Sequence, residues 1–220
     1  MRLTAKGRFL HFIWTALVAS SLALAYGGCW KTRDSSLFLA ASEGDVKTVR
    51  SLIDTGENVN ARDTEGETPL MYAAVRGQTQ VVLLLLSKGA QIDVVSVNGE
   101  TALDRAASAG CTAVVRVLIE KGANKEIGVP LIEALSKGHL DIVGLLVAKG
   151  ANVNAEDTAG DAALSYASKQ GAPVEIIKEM IAAGSDVKHR NKQGKTAEDL
   201  AAENGHKEIA ELLKKAAGTP

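Results

Sequence analysis

Aromatic residues make up only 4% of this 220-residue chain, too few for the ring clusters that usually anchor one large core. Cys29 and Cys111 are the only cysteines, so a disulfide framework is excluded. A dominant charge is missing too: 25 basic residues face 26 acidic ones, for a formal net charge of −1. That argues against a nucleic-acid binder driven by phosphate neutralisation. Catalytic and metal-binding patterns are likewise absent. Gly194-Lys195-Thr196 looks like the end of a phosphate loop, but His189 stands where the motif needs its first glycine. His11, His139, His189 and His206 are scattered, and neither H-x-x-x-H nor C-x-x-C occurs. No enzymatic activity, cofactor or metal is expected.

What the chain does have is a rhythm of glycines. Gly44, Gly77, Gly110, Gly138, Gly171 and Gly205 form one series, spaced 33, 33, 28, 33 and 34 residues apart. Gly56, Gly89, Gly122, Gly150 and Gly184 form a second series with the same period. Two bends recurring in step describe one supersecondary unit stacked on copies of itself. Abundant Ala, Leu, Val and Gly suit thin helices packed through small side chains.

Ahead of the repeats, Arg2, Lys6 and Arg8 precede a stretch from Phe9 to Trp30 without a charged side chain. A basic start, an apolar run and small residues read as an export signal over 1–28. Two exits are open. Ala23-Leu24-Ala25 fits a cleavage site that leaves Tyr26 first. Leu24-Ala25-Tyr26-Gly27-Gly28-Cys29 resembles a bacterial lipobox, which makes Cys29 a lipidation candidate and membrane tether. An uncleaved anchor is the third reading. Without residues 1–28, 22 basic residues face 26 acidic ones. Residues 29–36 read as a short linker, and the expected location is the periplasm or the envelope.

The unit is clearest in DTEGETPLMYAAVRGQTQVVLLLLSKGAQIDVV (63–95) and SVNGETALDRAASAGCTAVVRVLIEKGANKE (96–126). A polar turn with Gly66 or Gly99 leads into Thr-Pro-Leu or Thr-Ala-Leu and a short alanine-rich helix. A Val/Leu-rich helix then ends at the second-series glycine. Thr68 and Pro69 suit a helix start. Val81, Val82, Leu84 and Leu85 form the wide apolar stripe of a buried helix. These residues resemble the ankyrin repeat. The resemblance covers about 37–217 in six units, near 37–62, 63–95, 96–126, 127–156, 157–190 and 191–217. It implies an all-α repeat solenoid with β-hairpin fingers. The fourth unit is five residues short, which clips its finger. The family's histidine after Thr-Pro-Leu is replaced by Met71, Asp104, Ile132, Ser165 and Asp199, so its turn hydrogen bond should be lost or replaced.

The resemblance further implies a noncatalytic scaffold that binds an unidentified protein through its fingers and the concave face of its first helices, as a monomer. An inhibitor or immunity-type protein that blocks a periplasmic or secreted enzyme is the alternative. Carried over by position, the partner-binding candidates are Glu65, Glu67, Asn98, Glu100 and Asp161 on the fingers. Tyr72, Val75, Arg76, Ser108, Lys137, Lys169 and Gln170 are the candidates on the helices. Because four of the finger candidates are acidic, a basic partner is expected. Arg50, Leu83, Arg116, Gly144, Lys178 and Glu211 should form an outward stripe.

Overall fold

A computed structural model describes residues 36–124 and 130–218. The export segment, Cys29, nearly all of the linker and the shortened turn of the fourth unit lie outside the described residues. Among those described, twelve helices follow in six pairs. They are α1 (Ser36–Glu43) with α2 (Val46–Asp54), α3 (Pro69–Val75) with α4 (Thr79–Ser87), and α5 (Ala102–Ser108) with α6 (Thr112–Glu120). Next come α7 (Pro130–Lys137) with α8 (Leu140–Ala148), α9 (Ala163–Gln170) with α10 (Val174–Ala182), and α11 (Ala197–Glu203) with α12 (Lys207–Ala217). First helices pack on first helices and second on second, giving an all-helical repeat solenoid.

Local chemistry starts and stops each helix. Thr68 caps α3 by accepting the Met71 N–H, with Pro69 at the first helical position. In α5 and α11 the cap is a closed box. Thr101 donates its N–H and hydroxyl to Asp104 Oδ2 at 2.8 and 2.6 Å, and Thr196 does the same to Asp199 at 2.9 Å each. These aspartates stand where the family has histidine, so in the third and sixth units the expected turn bond is replaced. The eleven glycines of the two series all have φ between 69° and 104°, a region that penalises any side chain.

The core is thin and continuous. Ala73, Ala74, Ala106 and Ala107 are fully buried and let successive first helices approach closely. Val81, Val82 and Leu85 fill the second row, as do Val114, Val115 and Leu118, then Ile142, Val143 and Leu146. Burying each such side chain is worth about 1.5–3 kcal/mol, contributed mainly by the neighbouring pair.

The residue after each first-series glycine caps the second helix only in the first unit, where Asp45 accepts the Lys47 and Thr48 N–H groups. In later units it reaches backwards. Gln78 Nε2 donates to Ser42 O at 3.0 Å, while His139 and His206 place Nε2 3.1 and 3.2 Å from Ser108 O and Lys169 O. The Cys111 thiol lies 3.9 Å from Val75 O. Each side chain thus covers the end of the previous first helix. The fifth unit has Ala172 there and cannot. At the outer loops, Asn60 bonds Gly89 O and the Gln91 N–H, and Asn154 bonds Gly184 O and the Asp186 N–H.

The fingers differ from the expected β-hairpins. Among the described residues there is no strand, only an isolated bridge between Glu156 and Ala162. The legs are too short for a ladder before the next helix cap begins, so the fingers are turns.

Candidate partner-binding surface

Each finger is organised by its first side chain. Asp63 Oδ1 accepts the N–H groups of Glu65 and Glu67, both at 2.9 Å, and Asp157 Oδ1 those of Ala159 and Asp161 at 2.8 and 2.9 Å. Asn191 does the same for Gln193 and Lys195 at 3.0 Å. The other carboxylate oxygen is taken by a tyrosine. Tyr72 donates to Asp63 Oδ2 at 2.9 Å and Tyr166 to Asp157 Oδ2 at 2.7 Å, pinning finger to first helix. Burial, then the Asp157 carboxylate, push the Tyr166 hydroxyl up to about 12, so it remains a neutral donor. Burial alone would raise the Asp157 carboxyl, but the Tyr166 hydroxyl and the turn amides outweigh it and hold it below its ordinary value. The Tyr72 ring meets Phe38 edge-on, with centroids 5.3 Å apart. Neighbouring fingers are joined by main-chain bonds from Val97 N to Glu65 O and from Lys192 N to Ala159 O.

Among the expected finger acids, only Glu65 is an exposed tip. Glu67 is not: it is 3% exposed and ion-paired to Arg105 Nη2 at 2.8 Å. Gly66 ends the turn, so Glu67 belongs to the descending leg and lies against the helix of the next unit. Burial pushes its carboxyl up, and Arg105 only partly offsets that. Glu100 is half-buried and pairs with Arg105 Nη1 at 3.0 Å. Asp161 is half-buried and accepts from Asn191 Nδ2 at 2.7 Å. The acidic rim is therefore largely spent within the molecule, which removes most of the argument for a basic partner. Asn98 is exposed beside Val97, which is itself 76% exposed.

At the ends of the first helices, Arg76, Lys137, Lys169 and Gln170 are exposed, while Val75 and Ser108 are half-buried. Tyr72 and Tyr166 are half-buried with their hydroxyls committed. On the second helices, Arg50, Arg116, Lys178 and Glu211 are exposed as expected, but Leu83 and Gly144 are half-buried. The Gly144 position opens a shallow groove lined by Val147, Ala148, Glu179, Ala182 and Ala183. Burial pushes the Cys111 thiol up, away from reactivity. Among the described residues no cluster of His, Cys, Asp and Glu could hold a metal ion. No described helix is long and apolar enough to cross a membrane.

Residues 37–128 and 130–219 match the family model for ankyrin repeats in three copies. The chain belongs to the ankyrin repeat family. Ankyrin repeats are in general noncatalytic protein-binding scaffolds. Over 84 residues the chain is 36% identical to a transient receptor potential cation channel subfamily A member 1 homolog of Caenorhabditis elegans, covering 37% of this chain and 6% of that one. It is also 36% identical over 85 residues to the E3 ubiquitin-protein ligase XBAT33 of Arabidopsis thaliana, of which it spans 16%. The chain thus spans only a small part of the curated relatives it matches. Among solved structures it resembles a chain from the complex of the Bdellovibrio bacteriovorus predatory endopeptidase Bd0816 with the immunity protein Bd3460. There the TM-score is 0.71 at 32% identity, over 84% of this chain and 99% of that one. The human ASB11 ankyrin repeat domain gives 0.59 at 28% identity, with the same coverage.

Two residues of this ankyrin surface escape the sequence reading. Arg105 joins the second and third fingers through two carboxylates. Leu39 is 54% exposed at the start of the first-helix row. Both occupy the position just before the packed alanine, where Tyr72 and Tyr166 also stand. Aligning that column across units would have found them.

Proposed function

We propose that this ankyrin array is exported to a bacterial envelope and there binds an exported peptidase, holding it inactive. The observation that carries this reading is the likeness to the endopeptidase–immunity protein complex. It runs across 84% of this chain and 99% of that chain, whereas the curated relatives share only a fragment. A binding surface of exposed finger and helix-end residues, with no catalytic constellation among the described residues, suits a blocking protein. The export segment supplies the compartment in which such an enzyme would meet it, and Cys29 supplies a lipid tether.

The test adds the purified mature chain to envelope extract of the source cell and follows peptide-bond hydrolysis. One endopeptidase activity should fall in proportion to added chain and co-purify with it one to one. Unchanged activity, with several non-hydrolytic proteins retained instead, refutes the blocking reading and leaves a scaffold that gathers partners. Separately, Cys29→Ala should abolish fatty-acid labelling and release the protein from the membrane fraction; an unchanged fraction refutes the tether.

A further inference from the structure

The geometry points to an acidic protein segment as the occupant of the first-helix face, docking along Arg76, Lys137 and Lys169. This inference rests on the protein-binding reading above and names the chemistry of the partner. All three cations are exposed, and none forms an ion pair among the described residues. They occur in the second, fourth and fifth units at the last two positions before the first-series glycine. The third unit has Ser108 and Ala109 at those positions, so no acid interrupts that column between them.

Most of the acids that could have balanced this row are occupied elsewhere. Glu133, one turn before Lys137 on α7, and the finger tip Glu65 are the exceptions, with no ion pair among the described residues. Glu67 and Glu100 share Arg105 at 2.8 and 3.0 Å. Asp63 and Asp157 each accept two turn amides and a tyrosine hydroxyl. Asp161 accepts from Asn191, and Glu203 is bridged to Lys195 at 2.7 Å. Although the whole chain carries a net charge of −1, Arg76, Lys137 and Lys169 outnumber Glu133 and Glu65, so the balance left on this central face is positive.

Cations are favoured near helix C-termini by the helix dipole, but that does not account for the pattern. At the same positions the first and sixth units carry Glu43 and Glu203, both exposed acids. The sign follows the place in the array: with Glu203 bridged to Lys195, the unpaired charge is acidic at the N-terminal end and basic in the middle. A complementary partner presents carboxylates to the second through fifth units and has none against Glu43 of the first. Such complementarity acts mainly on association rate and register.

The probe is a glutamate-rich peptide of about 12 residues, which when extended spans ~40 Å, enough for three helix-to-helix steps of about 10 Å. A lysine-rich peptide and a single-stranded oligodeoxynucleotide of similar length are the comparators. Binding to the full mature chain is measured by fluorescence anisotropy near 0.01 M salt, where screening extends over ~30 Å, and at 0.15 M, where it extends over ~8 Å. The glutamate peptide should bind best of the three and weaken with salt. The triple variant Arg76→Glu, Lys137→Glu, Lys169→Glu should bind it at least about tenfold less well. The neutral triple Arg76→Gln, Lys137→Gln, Lys169→Gln should fall between. Reversing the outer cations Arg50, Arg116 and Lys178 should leave binding nearly unchanged. Preference for the lysine peptide or the oligonucleotide overturns the inference, and so does equal loss in the inner and outer triple variants. Peptide binding without peptidase inhibition would refute the blocking function while leaving the docking row intact.

Discussion

Replacing Arg105 with alanine should destabilise this array more than replacing either of its acidic partners. Arg105 holds Glu67 Oε1 at 2.8 Å and Glu100 Oε2 at 3.0 Å, and its Nε is buried without a hydrogen-bond partner. Glu67 is 3% exposed, so Arg105→Ala leaves a carboxylate in a nearly dry place. Stranding a fully buried charge costs about 3–5 kcal/mol. The Arg105 and Glu100 side chains are each 29% exposed, so water relieves part of that. A loss of about 1.5–3 kcal/mol is expected. Glu67→Gln keeps the shape and removes a charge that burial disfavours more than Arg105 favours it. Its cost should stay within about 1 kcal/mol. The double variant Arg105→Ala, Glu67→Gln should regain about 1 kcal/mol or more over Arg105→Ala alone.

Urea unfolding followed by circular dichroism measures these differences, and pH sharpens them. The Glu67 carboxyl is raised in the folded state, so its stabilising contribution is full below the unfolded value and is lost as pH rises through the folded one. Acidification should therefore shrink the Arg105→Ala deficit, as the stranded carboxylate takes up its proton. Equal losses from Arg105→Ala and Glu67→Gln, or a deficit independent of pH between about 4 and 7, would refute the reasoning.

Other consequences can be measured directly. Tyr166→Phe removes a hydroxyl bonded to Asp157 and should cost about 1–2 kcal/mol, with faster amide exchange at Ala159 and Asp161. An unchanged exchange rate would mean the tyrosine does not hold the finger. Since the Tyr166 hydroxyl is pushed up to about 12, ultraviolet titration of a variant retaining it as the only tyrosine should show no ionisation near pH 10. Gln78→Ala should lose about 0.5–1.5 kcal/mol by freeing Ser42 O, and Ala172→Gln should gain stability of the same order by covering the fourth unit's helix end. A neutral Ala172→Gln would show that the backward-reaching side chains fill space without holding the stack. Cys111 should react slowly with thiol reagents until denaturant is added, because burial raises its thiol above the ordinary value. Rapid labelling of the folded protein would contradict that placement.

Much of the architecture is legible in the residues because repetition averages out local ambiguity. One glycine proves little, but six spaced near 33 locate six helix ends and, with them, which neighbours pack and which are displayed. Hence Arg76, Lys137, Lys169 and Gln170 are exposed as expected, while the flanking alanines are buried. Glu67 escaped the same logic. Periodicity places it in the finger, yet its burial depends on Arg105, 38 positions on, swinging against it from the next unit. His139 and His206, merely scattered in the sequence, stand at the starts of α8 and α12 and also reach the unit before.

The sequence by itself determined the repeat, the helix ends and the displayed columns, because backbone conformation and apolar spacing act over a few residues. Only the tertiary structure decided which displayed charges stay free. That depends on distances between units, where a guanidinium can cancel two carboxylates or a tyrosine can occupy a third. The expected acidic rim is thereby largely neutralised, and the exposed cations of the first-helix face are left outside any ion pair among the described residues.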